Sequence, residues 1–222
     1  NVGALAVMCL ADAVVNFNVV RTGECEVTRT TARKPGLSCV YLESRHALCG
    51  PLAAALGAAG VLRPQVLPPG PAFRSAQAGK LLVNLFNPVN ALAGTPLRST
   101  LAESGYRRVA AAAMREGCAG LRAAGWSPGR PYSPLLPLAL LLPDCVFMPL
   151  ASLAFAVHPR AKSSMLQDLE AGARTEAEAL CGAVAVIAAG AGRRAPACEA
   201  LTRLVLEAER GGGGAAHPPP PA

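Results

Sequence analysis

The chain has 222 residues, of which 52% are hydrophobic and 16% charged. This length and hydrophobicity allow a sizeable buried core, which excludes a disulfide-stapled mini-protein and a wholly disordered protein. The formal net charge of +7 is compatible with an anionic partner, but the basic residues do not cluster and aromatic residues make up only 4%. We therefore expect a small carboxylated or phosphorylated molecule rather than nucleic acid as partner.

The most apolar stretch, residues 135–157, is interrupted by Pro137, Pro143, Pro149 and Asp144. Such interruptions predict no transmembrane helix, so we expect no membrane partner. The eight cysteines stand singly, without a C-x-x-C motif or a histidine at metal-ligand spacing. We interpret them as reduced core residues of a cytoplasmic protein without a metal site.

The first third of the chain is predicted to be α/β. Short β-branched runs at residues 13–20, 25–31 and 38–42 predict strands. An Ala- and Leu-rich helix over 45–59 and a further strand over 61–67 follow. The sequence Pro-Pro-Gly-Pro at 68–71 is typical of a linker, so the predicted α/β part spans residues 1–71.

Almost every later segment carries a helical pattern, which predicts an all-helical domain over residues 72–210. The fold class is therefore α+β, dominated by helices. Residues 211–222 are of low complexity and are expected to be a disordered tail. The helices are predicted at 75–93, 97–124, 164–171, 176–189 and 196–210.

A polar stripe interrupts the first of these apolar helices. Lys80, Asn84 and Asn87 stand at i, i+4 and i+7 and so share one face, with Asn90 at its margin. A buried amide without a partner costs roughly 1–3 kcal/mol, and a buried ammonium costs more, so the stripe predicts a pocket wall. The alternative is a solvated polar face on a surface helix.

Pro88 lies within the same stripe. Because proline cannot donate to the carbonyl of Asn84, it predicts a kink that leaves this acceptor free beside the stripe. A partly desolvated lysine at a pocket edge, such as Lys80, suits proton donation to a carbonyl oxygen. Asparagines beside it would hold hydroxyl or carbonyl groups.

A second polar group lies near the other end of the chain. Ser164 with Gln167, and Thr175 with Glu178, both match the capping-box pattern and predict helix starts. Glu176 is then at the first helical position, where the helix dipole by itself would favour a carboxylate. A helix start is also an anion site, so Ser164 either caps its helix or receives a substrate carboxylate.

These two segments resemble the ketopantoate reductase (2-dehydropantoate 2-reductase) family. Residues 79–97, GKLLVNLFNPVNALAGTPL, are similar to its helix with the catalytic lysine, and residues 163–180, SSMLQDLEAGARTEAEAL, to its second signature. The similarity extends in order from about residue 14 to residue 207. Residues 13–31, AVVNFNVVRTGECEVTRTT, look like the closing strands of the family's nucleotide-binding domain.

The resemblance implies a role for each polar residue. Lys80 would protonate the substrate carbonyl oxygen as hydride arrives from NADPH, and Glu176 would be the acidic partner near lysine and substrate. Asn84 and Asn87 would hold the hydroxyl and carbonyl region, and Ser164 the carboxylate. The Asn87-Pro88 pair stands one residue closer to the lysine than in some members, which leaves open whether Asn87 or Asn90 meets the substrate.

The family's glycine-rich cofactor motif, G-x-G-x-x-G, is absent from the 222 residues. We therefore expect the first part of a nucleotide-binding domain to be missing and the chain alone to bind NADPH poorly. The implied function is reduction of ketopantoate to pantoate, a step toward pantothenate and coenzyme A, or of a related 2-oxo acid, with a homodimer possible. The alternative is a non-catalytic helical interaction module.

Overall fold

The computed structural model describes most of the chain beyond residue 38 and three short strands before it. The predicted tail beyond residue 211 lies outside the described residues. Residues 16–18, within the first predicted strand, also lie outside them. The described residues are 13–15, 19–21, 27–29, 39–44, 47–58, 60, 63–130, 132–155 and 159–211.

The chain divides into two compact units, and the division falls within a helix. The first unit contains the described residues up to Lys80 together with Ser127–Pro131. The second unit contains Leu81–Trp126 and the described residues from Tyr132 onward.

The described part of the first unit contains a three-stranded sheet and a two-stranded ladder. Their elements are β1 (Ala13–Val15), β2 (Val19–Arg21), β3 (Val27–Arg29), β4 (Cys39–Glu43), α1 (Cys49–Ala58) and β5 (Arg63–Leu67). The sheet has the order β1-β4-β5, with β1 antiparallel and β5 parallel to the central strand β4, and strands β2 and β3 pair antiparallel. Helix α1 connects the parallel strands, as a crossover between parallel strands requires.

Helix α2 (Pro71–Asn84) begins in the first unit and packs on its sheet. Strand β4 is buried at all five positions, as expected for a central strand with parallel pairing. Phe73 and Ala76 of α2 join Val14, Cys39 and Tyr41 in one apolar cluster. The first two turns of α2 are thereby fixed to the sheet.

The second unit is helical. One of its helical stretches begins with a π-helical segment, Glu178–Gly182, which continues directly into an α-helix from Ala183. The helices are α3 (Phe86–Ala93), α4 (Leu97–Ala102), α5 (Ser104–Ala123), α6 (Leu136–Ala139), α7 (Asp144–Phe155), α8 (Ser164–Glu170), α9 (Ala183–Gly190) and α10 (Pro196–Arg210).

Helix α5 is the centre of this unit because glycines let its neighbours approach closely. A Cβ atom added at Gly117 would lie 2.8 Å from Leu82 and 2.9 Å from Leu85. One added at Gly120 would lie 2.7 Å from the Cβ of Ala188 on α9. Larger side chains at these positions would overpack the core.

The buried guanidinium of Arg107 joins three elements of the helical unit. Its five N–H groups donate to the carbonyl oxygens of Leu101 and Ala102 at the end of α4, to those of Leu140 and Leu142 after α6, and to the Asp144 carboxylate. The guanidinium carbon also lies 4.4 Å from the ring centroid of Phe147. One side chain thus satisfies carbonyls that the ends of two helices leave without intrahelical partners.

The predicted fold class is confirmed: a small α/β piece is followed by a predominantly helical domain. The predicted helix over 75–93 is wrong in one respect, because it is two helices, α2 and α3, that meet at Leu85. In the described part of the chain, no helix combines the length and apolarity needed to cross a membrane. The cysteines in the described part of the chain are free thiols that form no disulfide, and among them only Cys145 is exposed.

We predict that Arg107→Met lowers the free energy of unfolding by roughly 3 kcal/mol, because four buried or part-buried carbonyls lose this charged donor. Urea unfolding followed by circular dichroism measures this change. The exposed neighbour Arg108 supplies the control, since Arg108→Met on the same helix should change stability by less than about 0.5 kcal/mol. Equal effects of the two substitutions would contradict a structural role for Arg107.

Candidate active site

Lys80 and Asn84 lie one turn apart in the last part of α2, as their spacing predicts. Both side chains are half-buried. Burial lowers the pKa of the Lys80 ammonium from its ordinary value of 10.5. A lysine with a lowered pKa gives up its proton more readily, which suits a general acid.

The distortion predicted from Pro88 occurs at Asn84, but it is a break between two helices and not a kink within one helix. Helix α2 ends at Asn84, and α3 begins at Phe86 with Leu85 as its N-cap. Pro88 is therefore in the first turn of α3, where a backbone N–H has no intrahelical partner and its loss costs nothing. The prediction that Lys80, Asn84 and Asn87 share one helix face assumed an uninterrupted helix. Because the helix ends at Asn84, the prediction applies only to Lys80 and Asn84.

Asn90 is fully buried, and three protein groups bind its amide. Its Nδ2 donates to the carbonyl oxygen of Thr95 and to Oγ1 of Thr100, each at 2.8 Å. Its Oδ1 accepts the backbone N–H of Ser163 at 2.9 Å. Asn87, by contrast, is half-buried on the same helix.

The turn after α3 makes this network possible. Gly94 ends the helix in the left-handed conformation, with φ of 61°, and its N–H donates to the carbonyls of Asn90 and Ala91. The reversal brings Thr95 and Thr100 back beside Asn90. A hydrogen bond between the two threonine hydroxyls, at 3.1 Å, completes the network.

Helix α8 is capped by Ser163 and not by Ser164, which corrects the prediction. The Ser163 hydroxyl accepts the N–H of Leu166 at 3.2 Å, and Gln167 reaches back to the Ser163 carbonyl at 3.3 Å. Ser164 is the first helical residue and is exposed. Within the described part of the chain its hydroxyl has no hydrogen-bond partner, so it can receive a ligand.

Glu176 is exposed and immediately precedes the helical turn that begins at Ala177. Thr175 and Glu178 do not form the predicted capping box with each other. The Thr175 hydroxyl accepts the N–H of Ala177 at 3.2 Å, and Glu178 forms an ion pair with Arg174. The Thr175 N–H donates to Oε1 of Glu209 on α10 at 2.7 Å.

Hydrogen bonding with Thr175 is the main cause of a lowered pKa at Glu209, and the nearby charges of Arg174 and Arg210 lower it further. The Glu209 carboxylate is therefore stable as an anion and fixes the segment that carries Glu176.

One apolar cluster lies beneath the candidate residues of the second unit. Ser164 precedes the buried Met165, and Glu176 precedes the buried Ala177. Both anchors pack in the same cluster as residues of α3 and α10. The cluster consists of Ala91, Met165, Leu166, Leu169, Ala177, Leu180 and Val205, with Leu81, Leu92 and Ala208 against it.

Within the second unit, the half-buried Asn84 and Asn87 and the exposed Ser164 and Glu176 offer amide, hydroxyl and carboxylate groups. Among the described residues, no group of three or more histidine, cysteine or acidic side chains could hold a metal ion.

Comparison with known proteins identifies the family to which the chain belongs. The family model described as ketopantoate reductase PanE/ApbA C terminal matches residues 72–209. The chain belongs to the ketopantoate reductase family. A search of curated protein sequences returned no match.

Several solved structures share the fold of this chain. A ketopantoate reductase from Ralstonia eutropha JMP134 is 26% identical over 90% of this chain and 59% of its own, with a TM-score of 0.66. A dimeric ketopantoate reductase from Staphylococcus aureus is 17% identical, covering 90% and 62%, with a TM-score of 0.63. D-mandelate dehydrogenase in complex with NADH is 18% identical, covering 91% and 62%, with a TM-score of 0.64. The chain thus spans about three fifths of the length of these structures.

Sequence reasoning missed two residues that organise this ketopantoate reductase domain. Ser163 is the cap of α8, and the pair Ser163-Ser164 leaves the choice between adjacent serines open at the sequence level. Glu209 is 34 residues from Thr175. No local pattern could connect them, although the position of Glu209 near the end of an amphipathic helix could have marked it as facing another element.

We predict that Ser163→Ala lowers the free energy of unfolding by about 1 kcal/mol, because it removes the N-cap of α8. Ser164→Ala should change it by less than about 0.5 kcal/mol, since that exposed hydroxyl makes no cap bond. Thermal and urea unfolding of the two variants test the assignment. The reverse order of stabilities would restore Ser164 as the cap and remove it from the candidate site.

Proposed function

We propose that this chain forms the substrate-side part of an NADPH-dependent reductase that converts ketopantoate, or a related 2-oxo acid, to the 2-hydroxy acid. Membership of the ketopantoate reductase family supports an oxidoreductase. The observation that carries the proposal is the bond between Asn90 and the N–H of Ser163. It fixes the helix of Asn87 to the residue preceding Ser164, so amide and hydroxyl groups can act on one substrate.

In the proposed reaction, bound NADPH would be the source of the hydride that adds to the 2-oxo carbon. No described residue forms a glycine-rich cofactor turn, so cofactor binding is assigned to no residue of this chain. As the carbonyl π bond breaks, negative charge develops on its oxygen, and Lys80 donates a proton to form the hydroxyl. Lys80 is left neutral, which its lowered pKa favours.

The remaining residues bind and orient the substrate. Asn84 and Asn87, both half-buried, would donate to or accept from its hydroxyl and carbonyl groups. The exposed Ser164 hydroxyl would donate to its carboxylate. Asn90 is a positioning residue in this proposal, because both its amide hydrogens and its oxygen are already bonded to protein groups.

Glu176 would accept a hydrogen bond from the substrate. Its backbone position is supported by the Thr175–Glu209 bond.

The nucleotide, the assembly and the compartment belong to the same proposal. The family resemblance supports NADPH, and the NADH complex of D-mandelate dehydrogenase supports a nicotinamide cofactor in general. The dimeric Staphylococcus aureus enzyme supports a homodimer. We further propose that the protein acts in the cytoplasm, on ketopantoate destined for pantothenate and coenzyme A.

We predict that Lys80→Ala lowers kcat for ketopantoate reduction by about 10²–10⁴-fold, because the developing oxyanion loses its proton donor. NADPH absorbance measures the rate in the gene product that carries this chain, with the 222-residue chain assayed beside it. Gln77→Ala is the control, because Gln77 is exposed one turn earlier on α2 and should leave the rate within about twofold.

Two outcomes would count against this prediction. A Lys80→Ala protein that is folded and fully active would exclude Lys80 as the acid. Absence of NADPH oxidation in the folded gene product, with ketopantoate and with other 2-oxo acids, would favour the non-catalytic interaction module.

The pH dependence of kcat/KM provides a separate test. Lys80 must be protonated to act, so kcat/KM should fall as pH rises through its pKa, and burial places this fall below 10.5. Lys80→Arg should lose this alkaline limb, because arginine stays protonated, and its rate should be low because arginine is a poor acid. The same alkaline limb in wild type and Lys80→Arg would assign it to another group.

A further inference from the structure

A concave site lies in the helical unit, formed by residues that the proposed reaction does not use. The cavity has a volume of about 290 Å³ and lies between the second half of α5 and the segment that leads into α6. This volume is close to the lower end of the range for small-molecule sites. Its walls include Cys118 and Tyr132, Pro134 and Pro137, and Leu138.

Two arginines border this cavity. Arg115 and Arg122 are seven residues apart on α5, so they share a face and their Cα atoms are about 10 Å apart. Both are exposed, and within the described part of the chain neither forms an ion pair with an acidic side chain. Long side chains that start about 10 Å apart can converge on one bound group.

No acidic side chain among the lining residues neutralises these charges. The adjacent acidic residue on α5, Glu116, has another role. Its carboxylate accepts the backbone N–H groups of Ala197 and Cys198 at 2.9–3.1 Å and thereby caps α10. The cavity is therefore electropositive as well as concave.

The rest of the lining is apolar. Pro134, Pro137 and the exposed Leu138 offer a hydrocarbon surface. Tyr132 is buried, and burial together with the neighbouring Cys118 thiol raises the pKa of its phenol. A guanidinium binds carboxylate and phosphate oxygens through paired N–H donors.

We propose that this cavity binds a small organic anion, whose carboxylate or phosphate group lies between Arg115 and Arg122 and whose apolar body packs on Pro134, Pro137 and Leu138. The site is separate from Lys80, Asn84, Asn87, Ser164 and Glu176, and it does not depend on the proposed reductase function. Such a ligand would account for part of the excess of basic over acidic residues in the chain.

Titration of the 222-residue chain with benzoate, phenyl phosphate, benzamide and inorganic phosphate, followed by ¹⁵N–¹H NMR, tests the proposal. Benzoate or phenyl phosphate should saturate shifts at Cys118, Ala119 and Leu138 and bind at least about tenfold more tightly than neutral benzamide. Inorganic phosphate, which lacks an apolar body, should bind more weakly than phenyl phosphate.

Matched substitutions complete the test. Arg115→Gln and Arg122→Gln should each weaken binding by about tenfold, whereas Arg108→Gln, with the same loss of charge on the same helix, should not. Lys80→Ala should leave the shifts at Cys118 intact, which separates this site from the substrate site. Absence of saturable shifts, equal binding of inorganic phosphate and phenyl phosphate, or equal weakening by Arg108→Gln would each overturn the proposal.

Discussion

The buried amide of Asn90 is the interaction on which the candidate site depends. It bonds at once to the turn after α3, to the first turns of α4 and to the backbone just before α8. Because an unpaired amide in a dry core costs roughly 1–3 kcal/mol, each partner must stay in place for the others to be satisfied. The segment that carries Ser164 is therefore fixed to the helix that carries Asn87, although 73 residues separate Asn90 from Ser163.

Two other candidate residues are each held by a buried neighbour in the sequence. Ser164 precedes Met165 and Glu176 precedes Ala177, and both anchors belong to one apolar cluster with α3 and α10. Glu209 adds a polar restraint through the N–H of Thr175. Functional groups on packed helices keep their geometry better than groups on loops, so the core contributes directly to the proposed chemistry.

Local patterns predicted much of this arrangement. Helical periodicity located most helices, and the spacing of Lys80 and Asn84 placed both on one face. Pro88 predicted a distortion at the Asn84 carbonyl, but it did not predict that one helix would end there and another begin after Leu85, because Leu, Phe and Asn are ordinary in helices. The capping serine of α8 is decided by which residues face the core, and the Thr175–Glu209 bond joins distant segments. Such choices depend on tertiary packing.

The positive charge of the chain also becomes interpretable only in the folded structure. The sequence has 21 basic and 14 acidic residues without a cluster. On α5 alone, Arg107 uses all five donors inside the protein, Glu116 caps α10, and Arg115 and Arg122 border a cavity without an acidic partner. Identical side chains thus differ in role because burial and neighbours differ. A net charge therefore identifies a possible partner class only after each charged group has been located.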